Sequence, residues 1–269
     1  MNAITPNGMA AEVRLARVLH QIGPLAVAVS GGVDSMTLAH VAHDCLGADA
    51  EMIHAISPAV PGAATERVRR YASRGGWRLR EIDAGEFDDP RYRANPANRC
   101  FFCKTNLYGT MARLAGGTLV SGTNLDDLGD WRPGLQAAQD HGVRHPFVEA
   151  EIDKQTVRAI ARARGLDDLA ELPAAPCLSS RVETGLRVEA VDLAAIDRVE
   201  TTLRGQFDAA DIRCRVVAGG IRIELDEACL AALTEDDLGV VRQMAAGVFA
   251  RAIETVSVAP YRRGSAFLR

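Results

Sequence analysis

The amino-acid sequence predicts an α/β fold, a doubly wound parallel sheet joined to a small C-terminal α+β domain. Two observations predict the sheet. Short continuous apolar runs such as Leu25-Ala-Val-Ala-Val29 have the character of strands covered on both faces. These runs alternate with helical patterns through the first two thirds of the chain, the order that generates parallel strands with crossover helices. A third observation predicts the second domain. Beyond a Pro- and Ala-rich stretch at 172–176 the order changes to helix, paired strands, helix and strand.

In chain order, helical spacing of apolar residues predicts a helix over 10–20, and the run 25–29 a strand. A helix over 34–45, a strand over 50–56, a helix over 64–74 and a strand over 77–82 follow. Residues 105–115 read as a helix, 118–121 as a strand, 144–148 as a further strand and 153–164 as a helix. In the last part, 193–203 is a helix, and 211–217 and 221–225 are strands around a Gly219-Gly220 turn. Residues 235–251 are a helix and 254–258 a last strand. The expected division is 1–185 and 186–269.

The 269 residues are 48% hydrophobic, too apolar for a disordered chain, and no apolar run is long enough to span a membrane as a helix. The opening residues have no basic start followed by an apolar stretch, so a cytoplasmic location is expected. A net charge of −4 gives no overall attraction to nucleic acid. Six cysteines are too sparse for a disulfide scaffold in a chain of this length, which turns attention to metal or sulfur chemistry.

Ser30-Gly-Gly-Val-Asp-Ser35 stands between the first strand and the next helix. Glycines allow a tight turn and close approach of a ligand, and a helix N-terminus presents unpaired N–H groups. Ser30, Gly31, Gly32, Asp34 and Ser35 thus form a candidate phosphate cradle, although the Walker pattern is absent. Ser121-Gly-Thr-Asn-Leu-Asp-Asp127 follows a later strand, and ligands of doubly wound sheets collect at the carboxyl ends of strands. Asp126 and Asp127 are candidates for Mg²⁺ beside phosphates, or alternatively for a turn that caps the following element.

Cys100-Phe-Phe-Cys103 admits three readings: half of a zinc site, a redox dithiol, or part of an iron–sulfur site completed by Cys177. Cys45, Cys214 and Cys229 lie in element-like patterns and read as ordinary thiols. Arg213 and Arg215 alternate on a strand, so both face one side, as suits phosphate recognition. Glu200 and Glu224 read as surface glutamates by default.

The loop SGGVDS after an apolar strand resembles the PP-loop of the ATP-pyrophosphatase superfamily. Several longer stretches resemble the ATP-dependent sulfur transferases of the LarE type. These are Asn95-Pro-Ala-Asn-Arg-Cys-Phe-Phe-Cys-Lys-Thr-Asn-Leu-Tyr108, the block from Ser121 to Leu135, Pro176-Cys-Leu-Ser-Ser-Arg181, and Tyr261-Arg-Arg-Gly-Ser265. The resemblance runs almost end to end and implies an adenine nucleotide alpha hydrolase-like fold. It also implies sulfur insertion into an adenylated carboxylate of a pyridinium dicarboxylate mononucleotide, in the making of a nickel-pincer cofactor. ATP, Mg²⁺ and a [4Fe–4S] cluster on Cys100, Cys103 and Cys177 are the implied cofactors, and in other members the cysteine corresponding to Cys177 is itself sacrificed. Lys104 and Arg181 would neutralise charge as the acyl-adenylate forms, Arg213 and Arg215 would hold the substrate phosphate, and Glu200 and Glu224 would lie in an acidic site nearby. A homo-oligomer, by resemblance a hexamer, is expected. The chain departs from the family pattern in CLSSR for the commoner CLASR, and in 182–187, where a Tyr and a Pro are absent. Other PP-loop chemistries, an ammonia-using synthetase or a tRNA thiolase, and a non-catalytic nucleotide-binding module are the competing readings.

Overall fold

The structure is a computed structural model that describes residues 6–129, 133–173, 176–207 and 211–262. The chain forms two compact units, Met1–Glu86 with Cys100–Ala175, and Phe87–Arg99 with Pro176–Arg269. These cuts differ from the expected division at 185. The chain leaves the first unit at 86, returns at 100 and leaves again at 175, so a stretch amid the first unit's sequence belongs to the second.

Among the described residues the first unit holds a four-stranded parallel sheet in the order β3-β2-β1-β4, made of β1 (Leu25–Ala28), β2 (Ala50–Ala55), β3 (Arg78–Ile82) and β4 (Thr118–Ser121). Both faces are covered, as the apolar runs predict. Leu25 and Val27 of β1 belong to a core with α1 (Pro6–Ile22), α2 (Val33–Leu46) and α3 (Gly62–Gly75). Ala26 and Ala28 face the opposite way, toward Tyr108 and Met111 of α5 (Arg99–Leu114). The small alanines on that face leave room for the aromatic and methionine side chains.

Two expectations fail here for identifiable reasons. The strand expected over 144–148 is a single bridge, Val120↔Arg144, because Pro146 opens a helical turn, Pro146–Glu149, and proline donates no ladder hydrogen bond. The helix expected from 105 begins at Arg99, so Cys100 and Cys103 lie inside its first turns.

The second unit holds a three-stranded sheet, β5-β6-β7, of β5 (Ile212–Val217), β6 (Gly220–Leu225) and β7 (Val256–Pro260). β5 and β6 form an antiparallel hairpin closed by the pair Val217↔Gly220, and β7 joins β6 in parallel. The helix Ala190–Gln206 buries Leu193, Ile196, Val199 and Leu203. The helix Glu235–Phe249 starts with a capping box between Thr234 and Asp237 and makes the crossover to β7.

Candidate active site

In the strand order β3-β2-β1-β4, β1 is flanked on one side by β2 and on the other by β4, so the connection direction reverses beside it. Such a switch point opens a crevice beyond the carboxyl ends of the strands. The two glycine-bearing loops singled out from sequence both end there, since Ala28 of β1 and Ser121 of β4 are register partners. Their closeness is steric. A Cβ on Gly122 would sit 2.7 Å from the backbone nitrogen of Ser35, so only glycine lets the β4 loop lie against the first turn of α2. Gly31 has φ +82°, and a Cβ there would meet the Ala64 carbonyl oxygen at 2.8 Å.

Ser35 organises the loop. Its hydroxyl accepts from the Ser30 N–H at 3.1 Å, lies 3.1 Å from the Ser30 hydroxyl and donates to the Gly32 carbonyl at 3.2 Å. Gly32 caps α2 with extended backbone and no side-chain hydrogen bond, so no capping side chain satisfies the first-turn N–H groups. Ser30 is exposed to solvent, whereas Ser35 is buried within the loop that it organises.

Asp34 lies in that first turn. Its carboxylate accepts from the Asn124 amide at 3.2 Å and pairs with Lys154, the first residue of α8 (Lys154–Ala163). Sequence reasoning named Asp34 and missed both partners. The local signal for Lys154 is its place in the first turn of a helix, where the dipole disfavours a cation that no anion answers. Asn124 also shapes its own turn. Its side-chain oxygen accepts from the Asp126 N–H at 3.0 Å, and its N–H donates to Asp127 at 3.1 Å. Asp127 thus spends one oxygen on the turn, while Asp126 is exposed. Beside them Ser121 joins Thr123 at 3.0 Å and His145 at 2.9 Å, and burial lowers the pKa of His145.

None of the three singled-out cysteines is in a disulfide. Cys100 and Cys103 stand one turn apart on α5 in the first unit, and Cys177 is exposed on a loop of the second. Among the described residues no three Cys, His, Asp or Glu side chains gather as a metal site. Lys104 lies beside the pair on α5, with its ammonium 5.6 Å from the centre of the Tyr108 ring.

Cys177 precedes the short turn Leu178–Arg181, and Arg181 holds the main chain around it. Its Nη1 donates to the carbonyls of Pro176 at 2.7 Å and Cys177 at 3.3 Å, and to the Ser180 hydroxyl at 3.0 Å. Its other edge donates to both oxygens of Glu200, at 3.0 and 3.2 Å. Arg181 is 3% exposed, Glu200 1%. The expected surface position of Glu200 and Glu224 is therefore corrected: both are buried counter-ions. Glu200 also takes Arg204 at 2.7 Å and the Cys214 N–H at 3.0 Å, and Glu224 pairs with Arg215 at 2.7 Å. Burial alone would raise the pKa of Glu200, but the hydrogen bonds and charges of Arg181 and its other donors outweigh it and the net shift is downward.

The residue that departs from CLASR is explained by a partner. Ser179 is buried, and its hydroxyl meets the buried Tyr92 hydroxyl at 2.6 Å. Tyr92 belongs to the segment 87–99, which the second unit also holds through Asn95. This asparagine has φ +54° and donates to the carbonyls of Glu183 at 2.8 Å and Val182 at 3.3 Å. Tyr92→Phe is expected to destabilise by about 1–3 kcal/mol, because the Ser179 hydroxyl stays buried without its partner. The double variant with Ser179→Ala should recover most of that loss in urea melts, and additive losses would show that the two hydroxyls are not coupled.

Beside this loop is a cleft of about 400 Å³ lined by Arg181, Arg215, Arg222, Arg262, Glu183 and Glu224, among others. Arg215 and Arg222 are directly opposed across the β5–β6 hairpin, and Glu224 answers the charge of Arg215. Arg213, the other expected phosphate ligand, is held elsewhere, 5.3 Å from the Tyr261 ring centre and 3.2 Å from Asp211. Sequence reasoning missed Arg222 and Arg262; Arg222 lies one strand over from Arg215, where only the hairpin register reveals it. The stretches at 130–132 and 263–265 in the family-like motifs lie outside the described residues.

No protein-family model matches the chain. The chain is 39% identical over 203 residues, 74% of its length and 75% of the relative's, to the uncharacterized protein slr1717 of Synechocystis sp.. It is 27% identical over 222 residues, covering 81% of itself and 80% of the relative, to the pyridinium-3,5-bisthiocarboxylic acid mononucleotide synthase of Lactiplantibacillus plantarum. A third relative, the uncharacterized protein MJ0830 of Methanocaldococcus jannaschii, is 29% identical over 137 residues, 49% of this chain and 53% of the relative.

Proposed function

Since the chain belongs to the same family as the Synechocystis protein slr1717 and is similar along four fifths of its length to a bisthiocarboxylic acid mononucleotide synthase, we propose that it is an ATP-dependent sulfur transferase. In this reading it converts a carboxylate of an anionic pyridinium dicarboxylate mononucleotide to a thiocarboxylate, in nickel-pincer cofactor synthesis. The observation that carries the reading is the convergence at the switch point. Two glycine loops, the open N-terminus of α2 and the Asp34–Lys154 pair meet there as in a site for a polyphosphate.

The chemistry follows from charge. A carboxylate oxygen attacks the α-phosphorus of ATP and pyrophosphate leaves, giving an acyl-adenylate. The loop residues Ser30, Gly31, Gly32 and Ser35 hold the departing pyrophosphate, and Lys154, paired with Asp34, has further N–H donors to offer beside it. Asp126 and Asp127 are the proposed holders of the Mg²⁺ that accompanies ATP, with Asp126 offering the freer carboxylate. Lys104 is the proposed cation for the activated carboxylate. Arg181 is given a different part from the one the resemblance implies: with Glu200 neutralising it, it fixes the main chain of Cys177. Arg215, Arg222 and Arg262 receive the substrate's anionic groups in the cleft.

In the second step sulfur attacks the acyl carbon and AMP leaves. Cys100, Cys103 and Cys177 are the proposed holders of a [4Fe–4S] cluster, which when bound would supply the sulfide for transfer. In the sacrificial alternative the Cys177 thiolate itself forms the thioester. Loss of its α-proton then breaks the Cβ–Sγ bond, leaving dehydroalanine and a thiocarboxylate. We also propose a cytoplasmic homo-oligomer; no described helix is long and apolar enough to cross a membrane.

The test is pyrophosphate exchange into ATP that depends on the dicarboxylate mononucleotide, run on anaerobically purified protein with iron and sulfide analysis. Exchange with thiocarboxylate product supports the reading. A brown, oxygen-sensitive protein supports the cluster, and a colourless one whose Cys177 loses a sulfur atom per turnover supports sacrifice. No exchange overturns the reading, and retention of tRNA or ammonia-dependent amidation would replace it.

A further inference from the structure

We propose that Arg67 is a positioning residue for ATP, holding the glycine loop from behind and lending it a positive charge that no carboxylate pairs with directly. The inference rests on the reading that ATP binds at Ser30–Ser35. Three arginines stand close together on α3, and their partners differ. Arg69 is paired with Glu66 at 2.8 Å and Glu81 at 2.6 Å, and Arg70 with Asp168 at 3.0 Å. Arg67 instead donates through Nη1 to the backbone carbonyl of Gly31 at 2.8 Å, and no carboxylate pairs with it among the described residues. A guanidinium bonded to a neutral carbonyl is not neutralised by that partner, whereas Arg69 and Arg70 each hold a carboxylate directly; Asp168 attracts Arg67 only through space, and Arg70 repels it.

The partner atom gives that charge its direction. Carbonyls facing a phosphate repel it, so an anion loop must turn them away. In this loop three of them, at 29, 31 and 32, accept from donors of the protein. The Val29 carbonyl accepts from the Nδ1 of His54 at 2.8 Å, since a carbonyl can only accept, and the Gly31 carbonyl accepts from Arg67. The Gly32 carbonyl accepts from the Ser35 hydroxyl at 3.2 Å and the Met36 N–H at 3.0 Å. His54 is fully buried and is steadied in turn by Thr65 of α3, 3.0 Å from its Nε2. The first turns of α3 therefore support the loop at two successive odd positions, 29 and 31, one through a neutral imidazole and one through a cation. Burial lowers the pKa of both groups, which leaves His54 neutral and Arg67, starting from a far higher value, charged.

The experiment is calorimetric titration of Mg–ATP into wild type, Arg67→Met and Arg67→Lys at several salt concentrations. Arg67→Met is expected to weaken ATP binding about ten-fold and to flatten its salt dependence, with the melting temperature unchanged. Arg67→Lys is expected to restore most of the affinity and the salt slope. Equal affinity in the Met variant and wild type would overturn the inference, as would a Lys variant no better than Met, which would place the effect in packing rather than charge. Absence of ATP binding by the wild type would instead overturn the reading of the loop itself.

Discussion

Cys177→Ala is expected to abolish sulfur insertion, by a factor on the order of 10³ or more, while leaving pyrophosphate exchange within a few-fold of wild type. Both proposed sulfur sources pass through this thiol, as cluster ligand or as donor, so neither survives its removal. The substitution is small, at an exposed side chain whose main chain is held by Arg181 rather than by the sulfur. Folding should therefore change by no more than about 0.5 kcal/mol. Exchange measured in the same preparation separates the two half-reactions. If both are lost, Cys177 acts before or during adenylation. If product still forms with free ammonia as nucleophile, the sulfur reading gives way to an amidating enzyme.

Glu200→Ala is expected to be the most damaging change to stability. The carboxylate is 1% exposed and answers two arginines and a main-chain N–H. Removing it leaves the Arg181 guanidinium buried without a counter-ion, a loss of about 3–5 kcal/mol against a total of roughly 5–15 kcal/mol. The melting temperature should fall by on the order of 10 °C, and Glu200→Gln should fall less because an acceptor remains. An unchanged melting temperature would mean that the charges are solvated. The pH dependence has a definite sign. The folded-state pKa of Glu200 is lowered, so its contribution is present above the unfolded carboxylate value and is lost as pH falls through the folded one. The wild type should show an acid-side loss of stability that Glu200→Gln lacks.

Local pattern made much of the first unit legible. The strand 118–121 matches β4, and 50–56 contains β2, because a continuous apolar run bounded by turn residues has few alternatives. The loop 30–35 was legible for the same reason, since glycine and serine before a helix start are local signals. The misread 144–148 shows the limit: its apolar content suited a strand, and Pro146 decided otherwise. The partners of each site residue were not legible. Lys154 lies 120 positions from Asp34, and Tyr92 lies 87 from Ser179. Glu200 has the same look in sequence as any solvated helix glutamate.

By itself the sequence determined the alternation of elements, the glycine loops and the identity of the thiols, because these depend on a few neighbouring residues. Only the tertiary structure decided which charges are spent and which remain available. It buried Glu200 against Arg181, placed Arg222 opposite Arg215, and left Arg67 on a carbonyl while Arg69 and Arg70 found carboxylates. The physical reason is that a charge acts through its partners and its burial, and both are set by packing between residues far apart in the chain.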